Sequence, residues 1–180
     1  MTKTQGKKEI KQLYDSGADN YSKIYLQPKS LYDHEKNRRF EITSNLLLNQ
    51  QPRFILDLGC GPGYVASSLL KKLHNSNLIG IDFSTKMIEA ANRFKNENIE
   101  FIECDAEDTP FKDNTFDAIY ALGVFEKFQS LEKILDETNR ILKPKGKMYF
   151  TYPNYYSVIH YFRNSINFFR SKNYSEHNIK

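Results

Sequence analysis

Short apolar runs alternate along this chain with stretches in which apolar residues recur every three or four positions. The runs end in acidic or turn residues, as buried strands of a parallel sheet do. The stretches between them have the spacing of amphipathic helices. The pattern predicts strands at 54–56, 78–82, 99–105, 116–124 and 147–152, and helices at 31–49, 64–73, 85–96 and 131–142.

A glycine-rich turn follows the first strand, with the sequence Asp-Leu-Gly-Cys-Gly-Pro-Gly at 57–63. Gly59, Gly61 and Gly63 permit a tight turn against which a ligand can lie, close to backbone amides. The next helix is expected to direct free N–H groups at the same place. A turn with a purely structural role is the alternative. The last glycine falls one residue early for a dinucleotide fingerprint, and no Gly-Lys-Ser/Thr of a phosphate loop is present.

Acidic residues end the next two strands. Asp82 follows the glycines by about 20 residues, the separation expected of a ribose-binding acid. Asp105 ends the third strand. Because the carboxyl ends of parallel strands share one edge of a sheet, Asp57, Asp82 and Asp105 are predicted to lie near one another. A single acid of this kind is more often a solvated turn residue or a helix cap, but the set favours a ligand site.

In this order, the motifs resemble those of the class I S-adenosylmethionine-dependent methyltransferases over about residues 14–154. The resemblance is carried by the glycine turn, Gly-Ile-Asp at 80–82, Cys-Asp-Ala-Glu at 104–107, Phe-Asp-Ala-Ile-Tyr at 116–120 and Ile-Leu-Lys-Pro-Lys-Gly at 141–146. The family usually has two glycines where this chain has Lys145 and Gly146. The resemblance implies a doubly wound, mostly parallel Rossmann-like α/β sheet of about five strands, with helices on both faces.

The resemblance also implies methyl transfer from S-adenosylmethionine to a small-molecule acceptor. The glycines would approach the methionine end of the cofactor, with Asp57 near its amino group. Asp82 would accept the ribose hydroxyls, and Asp105 the adenine amino group. The full set of predicted cofactor-binding residues is Asp57, Gly59, Cys60, Gly61, Gly63, Asp82, Phe83, Met87, Asp105, Ala106 and Tyr21.

Methyl transfer from a sulfonium depends mainly on orientation, and a general base is needed only when the acceptor must lose a proton. The candidates are Glu126, just after the fourth strand, and His160 in the last segment. Glu126 also fits a surface residue that begins a helix. The four histidines lack metal-ligand spacing, so no metal site is predicted. Related enzymes that methylate amino groups of DNA bases commonly carry Asn/Asp-Pro-Pro-Tyr/Phe after the fourth strand, and cytosine C5 enzymes carry Pro-Cys. This chain has neither motif, which counts against a DNA-base substrate.

The chain divides into an N-terminal helical lid or cap at 1–50, a cofactor-binding core at 51–154 and an aromatic, basic helical tail at 155–180. In the lid segment, tyrosines at helical spacing either cover the cofactor or pack a helix on the sheet; they are Tyr14, Tyr21, Tyr25 and Tyr32. The helix at 31–49 is expected to direct Phe40, Leu47 and Leu48 inward and Lys36, Arg38 and Arg39 into solvent.

Composition adds little to this assignment. The net charge of +4 does not indicate nucleic acid, and two cysteines favour a reducing compartment over a disulfide framework. The N-terminus is polar and lysine-rich, and no run approaches the ~20 apolar residues of a transmembrane segment. The expectation is a soluble, cytoplasmic domain.

The last segment departs from the family pattern, because only about 26 residues follow Asn154. The usual last two strands are expected to be absent, which would leave the fifth strand as an apolar edge. The tail, a second copy in a homodimer or a partner chain would cover it, unless the chain is a truncated product. A basic-aromatic patch for membrane or nucleic acid is a further alternative for the tail. The competing functions are a non-catalytic binding protein and a nicotinamide-dependent oxidoreductase.

Overall fold

A parallel sheet of five strands forms the centre of the protein. The computed structural model describes residues 6, 9–17, 31–128 and 131–152. The strands lie in the order β3-β2-β1-β4-β5, and every neighbouring pair is parallel. They are β1 (Phe54–Leu58), β2 (Asn77–Asp82), β3 (Ile99–Glu103), β4 (Phe116–Ala121) and β5 (Leu142–Phe150). The predicted doubly wound α/β fold is confirmed.

Helices pack on both faces of this sheet. They are α2 (Leu31–Gln50), α3 (Tyr64–Leu70), α4 (Thr85–Ala91) and α5 (Glu132–Ile141), while α1 (residues 9–17) contacts the segment after β2. Alternation along β1 separates the two faces: Ile55 packs with residues of α2, α3 and α4, whereas Leu56 and Leu58 pack with residues of α5. Among the described residues, no helix is long and apolar enough to cross a membrane.

The strand order reverses at β1, and this positions the site. β2 and β3 lie on one side of β1, and β4 and β5 lie on the other. The segments that follow β1 and β4 therefore diverge at the carboxyl edge of the sheet, where open α/β sheets leave a crevice for ligands.

Several predicted boundaries differ from the structure. β3 ends at Glu103 and β4 at Ala121, earlier than predicted, and β5 begins directly after α5 at Leu142 instead of Lys147. α4 ends at Ala91 and continues as a short 3₁₀ turn. Ser84 caps α4, because its hydroxyl accepts a hydrogen bond from the backbone of Met87 at 3.2 Å.

The prediction for the charged face of α2 is wrong at Lys36. Arg38 is exposed and pairs with Glu41 at 3.2 Å, but Lys36 is buried, with 8% of its surface exposed. Leu47 is fully buried, and Phe40 and Leu48 pack against the core as expected. A pattern of polar and apolar letters counts lysine as solvated, although its long aliphatic stem can be buried.

Candidate functional site

A cavity of about 350 Å³ lies at the carboxyl edge of the sheet. Its walls are the segments after four strands, at 58–62, 81–83, 104–107 and 122–124, together with residues of α1 and α5. This volume is within the range of small-molecule sites. The cavity lies in the crevice that the strand order creates, and mostly apolar side chains line it.

The glycine turn is tied to β2 by its own amides. Gly59 and Cys60 both donate to the carbonyl of Ile81, at 2.8 and 2.9 Å, and Gly61 donates to Oδ2 of Asp82 at 2.9 Å. Gly63 donates to the Cys60 carbonyl at 3.2 Å. All four amides are therefore satisfied within the protein. The turn presents a rigid backbone surface to the cavity.

Glycine is also required in this turn by the protein's own packing. Gly59 and Gly63 have φ angles of +75° and +78°, a backbone conformation that residues other than glycine rarely adopt. A Cβ atom at Gly59 would lie 2.4 Å from Cγ2 of Val124, and one at Gly63 would lie 2.9 Å from the Phe101 ring. The absence of side chains thus lets the turn contact the segment after β4 and the ring on β3.

The carboxylate of Asp82 is held in one orientation. Its Oδ2 accepts from the amide of Gly61 and its Oδ1 from the amide of Ser84, both at 2.9 Å. Burial raises the pKa of Asp82, and these backbone hydrogen bonds oppose that shift. Each carboxylate oxygen has capacity for a further hydrogen bond. Because Asp82 lines the cavity, it can accept hydroxyl hydrogens from a ligand there.

Next to Asp82, the structure brings together an acidic residue and apolar walls. Asp105 lines the cavity, and its Oδ1 accepts from the amide of Glu107 at 3.0 Å. Met87 of α4 is almost fully buried, and Phe83 packs edge-on against Tyr14 of α1 with ring centroids 6.1 Å apart. This arrangement suits a flat apolar ring with polar edges. Eight of the eleven predicted cofactor-binding residues line the cavity: Gly59, Cys60, Gly61, Asp82, Phe83, Met87, Asp105 and Ala106.

The other three predicted residues do not line it. Gly63 precedes α3 and lies behind the turn, and Tyr21 is outside the described residues. Asp57 is 3% exposed and lies on the same face of β1 as Ile55, which α2, α3 and α4 cover. It is paired in register with Gly80 and Tyr120. Its Oδ2 makes no hydrogen bond of ordinary geometry within the described part of the chain, although the Tyr120 hydroxyl is near enough to act on the carboxyl group.

Burial gives Asp57 an unusual titration. Burial raises the pKa of Asp57 from 3.8 to about 7. The negative charge of Asp82 also raises this pKa, whereas the nearby Tyr120 hydroxyl lowers it. The carboxyl group is therefore partly protonated at neutral pH, and a cation in the nearby cavity would favour its ionised form. Burial also raises the pKa of the Cys60 thiol, so that this cysteine is protonated and a poor nucleophile.

The two candidate bases have different outcomes. Glu126 lies in the 3₁₀ turn Phe125–Lys127 and does not line the cavity. It is close to it, because a Cβ atom on the cavity residue Gly123 would lie 3.6 Å from Glu126 Oε1. Oε2 of Glu126 is buried and makes no hydrogen bond within the described ranges. His160 falls outside those ranges.

Residues of α1 and of the segment after β4 also belong to the cavity. Asp15 of α1 accepts hydrogen bonds from the Ser84 hydroxyl at 2.5 Å and from the Lys86 amide at 3.2 Å. Ile10 and Tyr14 consequently line the cavity. The residues that hold Asp15 are about 70 positions away in the chain, so no local sequence pattern indicates this contact. Lys127, Phe128 and Lys133 complete the wall.

Comparison with known proteins identifies the family. A family described as "Methyltransferase domain" matches residues 56–150, more than half of the chain. The chain belongs to the class I S-adenosylmethionine-dependent methyltransferases. The resemblance stated from the motifs and S-adenosylmethionine as the cofactor are both confirmed. The matched residues include the glycine turn, Asp82 and Asp105.

Two curated relatives cover most of this methyltransferase chain. It is 34% identical to the demethylmenaquinone methyltransferase of Thermotoga maritima over 142 residues, which are 79% of this chain and 60% of that protein. It is 30% identical to the malonyl-[acyl-carrier protein] O-methyltransferase of Legionella pneumophila over 145 residues, 79% of this chain and 49% of that protein. The chain thus spans about half to three-fifths of the length of these relatives.

A solved structure has the same fold as this methyltransferase. A chain of the Haloferax volcanii complex between the Trm112 methyltransferase activator and a methyltransferase is 25% identical, with a TM-score of 0.60. The match covers 76% of this chain and 58% of that one.

Proposed function

We propose that this protein transfers the methyl group of S-adenosylmethionine to a small-molecule acceptor bound in the cavity. One observation carries the proposal: the fixed carboxylate of Asp82 lies at the cavity wall, and the buried carboxyl group of Asp57 lies near enough to Asp82 for their charges to interact. The names of the two relatives, which act on demethylmenaquinone and on malonyl-[acyl-carrier protein], support small-molecule methylation.

The residues present fit the cofactor. Asp82 would bind the ribose hydroxyls and Asp105 the adenine amino group, while Met87 and Phe83 would contact the ring. The cofactor supplies a methyl group on positively charged sulfur. In this site Asp57 would be ionised by the nearby positive charge, and its own charge would stabilise the ligand in return. The tyrosine and isoleucine of α1 would exclude water from the reacting atoms.

Proton removal from the acceptor is assigned to Glu126, with His160 as the alternative. An acceptor without a proton to lose would need neither residue. Replacement of Glu126 by glutamine should then reduce kcat for a protic acceptor and leave the affinity for S-adenosylmethionine unchanged. A fall in affinity with unchanged kcat would remove this assignment.

We also propose roles for the two terminal segments and a cellular location. Residues 1–50 would act as the lid or cap, and the contacts of α1 with Ser84 and Lys86 support this role. Residues 155–180 would form the tail. The free thiols of Cys60 and Cys104 are consistent with a cytoplasmic location.

The outer edge of β5 is the proposed site for a partner chain or a second copy. β5 pairs with β4 on one side, no other described strand pairs with it, and half of the surface of Phe150 is exposed. The relative from Haloferax volcanii in complex with an activator supports a partner. If the protein acts only through such a partner, it would bind the cofactor without turnover of its own.

The test is formation of S-adenosylhomocysteine and a methylated product, followed by mass spectrometry over a panel of quinones, phenols, amines and carboxylic acids. We expect turnover that Asp82→Asn abolishes and Asp108→Asn leaves intact. Asp108 is the matched control, an exposed acid three residues after Asp105 whose side chain makes no ion pair with the described part of the chain. Turnover that is equal in the two variants would contradict the proposal.

A further inference from the structure

The charged residues of the cavity are divided between its two halves. Asp82, Asp105 and Glu107 follow β2 and β3, on one side of the glycine turn. Lys127 follows β4, and Lys133 lies in the first turn of α5, on the other side. The topology therefore produces an acidic half and a basic half, separated by the turn after β1.

The acidic half is the part that suits the cofactor. Ribose hydroxyls and an adenine amino group donate hydrogen bonds, and Asp82 and Asp105 accept them. A methyl acceptor must approach the methyl carbon from the side opposite the leaving sulfur. If the nucleoside occupies the acidic half, the space toward β4 and α5 is left for the acceptor. This step rests on the proposed function.

In the part of the chain that the structure describes, the two lysines of the basic half are not held by a carboxylate. Within residues 6, 9–17, 31–128 and 131–152, neither Lys127 nor Lys133 forms an ion pair. Four other lysines do, at N–O distances of 2.5–3.2 Å: Lys11, Lys86, Lys95 and Lys143. Both unpaired lysines line the cavity, where they can bind an anion.

Apolar side chains lie beside these lysines. Val124 and Phe128 line the same half of the cavity. Val124 packs on Gly59, and the Phe128 ring lies near that of Phe125, with centroids 6.5 Å apart. An occupant that satisfies this wall has an apolar body for Val124 and Phe128 and a negative charge for the lysines.

We propose that the methyl acceptor is an amphipathic small molecule with an anionic group, a carboxylate or a phosphate, which Lys127 and Lys133 bind. Hydrogen bonds between an ammonium group and an anion are stronger than neutral ones, and the anion adds orientation as well as affinity. The lysines would thus determine which acceptors enter, while the acidic half binds the cofactor.

The main competing explanation is that the lysines bind the carboxylate of the cofactor's own methionine end. If the lysines bind that carboxylate, they are already occupied in protein saturated with S-adenosylhomocysteine and cannot favour an added anion. If they bind the acceptor, they still favour an added anion over a neutral molecule. The probes are therefore 1-naphthoate, 1-naphthyl phosphate and the neutral 1-naphthamide, which share one apolar body. Each is titrated into wild-type protein saturated with S-adenosylhomocysteine, and binding is followed by calorimetry.

We expect wild-type protein to bind one of the two anionic probes roughly tenfold more tightly than 1-naphthamide. Whichever anion binds tighter identifies carboxylate or phosphate as the recognised group. The Lys127→Met/Lys133→Met variant should lose the preference and keep its affinity for S-adenosylhomocysteine. Lys112→Met, at an exposed lysine outside the cavity, is the matched control and should retain the preference.

Other outcomes would overturn the inference. These are equal binding of all three probes, binding of none, or a preference for anions that survives in the double variant. A double variant that loses affinity for S-adenosylhomocysteine would assign the lysines to the cofactor instead. Failure of wild-type protein to bind S-adenosylhomocysteine at all is a separate result, which would contradict the proposed function itself.

Discussion

The buried carboxyl group of Asp57 should make the cofactor-free protein less stable as the pH rises. Its pKa is about 7 in the folded protein, against an ordinary value of 3.8. A carboxyl group whose pKa is raised by folding binds its proton more tightly in the folded state. The stabilisation is therefore fully present below pH 3.8 and is lost as the pH rises through 7.

The size of the effect follows from the shift. One pKa unit is worth about 1.4 kcal/mol, so a shift of about three units corresponds to roughly 4 kcal/mol as an upper value. Asp57→Asn keeps the shape of the side chain and removes the charge. The variant should resemble wild type only near pH 3.8 and below; its free energy of unfolding should exceed that of wild type by roughly 1.5 kcal/mol at pH 5 and by up to about 4 kcal/mol at pH 8.

The assay is urea unfolding followed by circular dichroism between pH 5 and 8, without cofactor and with Asp108→Asn as the exposed control. The difference between wild type and Asp57→Asn should grow across this range, whereas the control should follow wild type. S-adenosylmethionine should bind the Asp57→Asn variant more weakly, because the charge that favours the cation is gone. A constant difference across the pH range would refute the assignment of a raised pKa to Asp57.

Three further predictions concern packing, docking and acid stability. Gly59→Ala should lower the free energy of unfolding by roughly 2–4 kcal/mol, since its Cβ would clash and its φ is positive; urea unfolding should show no such loss for Gly17→Ala, which has open space. Asp15→Asn should release α1, raising hydrogen exchange of its amides roughly tenfold, whereas the exposed Glu9→Gln should not. Glu137, whose pKa its ion pair lowers to about 2, contributes stability that is present above pH 4.5 and lost as the pH falls toward 2. The Tm of wild type should therefore fall as the pH drops through this range, and the Tm of Glu137→Gln should fall much less. An equal fall in both proteins would exclude Glu137 as its cause.

The central sheet could be predicted because most of its strands contain short apolar runs, two of which end in acidic residues. The same regularity placed Asp82 and Asp105 at one edge, since parallel strands share their carboxyl ends. The cap at Ser84 was also local, because its hydroxyl accepts from a backbone amide three residues ahead. These features depend on neighbours in the chain, or on a topology that the strand order fixes.

Features that depend on distant contacts could not be predicted. The amides of the glycine turn are bound to Ile81 and Asp82, about 20 positions on, and only the folded chain shows that they are not free. Lys36 is counted as polar by any pattern, yet packing buries it. Lys127 follows the fourth strand, at the edge of the sheet where a ligand is expected, but only the folded structure shows that Lys133 of α5 lies at the same cavity wall.

The decisive experiment for the cofactor site is isothermal titration calorimetry of S-adenosylmethionine with purified wild type, Asp82→Asn and Asp108→Asn. We expect micromolar affinity for wild type and Asp108→Asn, and a loss of roughly tenfold or more for Asp82→Asn in a variant that remains folded. Equal affinity for all three proteins, or no binding by folded wild-type protein, would contradict the assignment of this cavity to the cofactor.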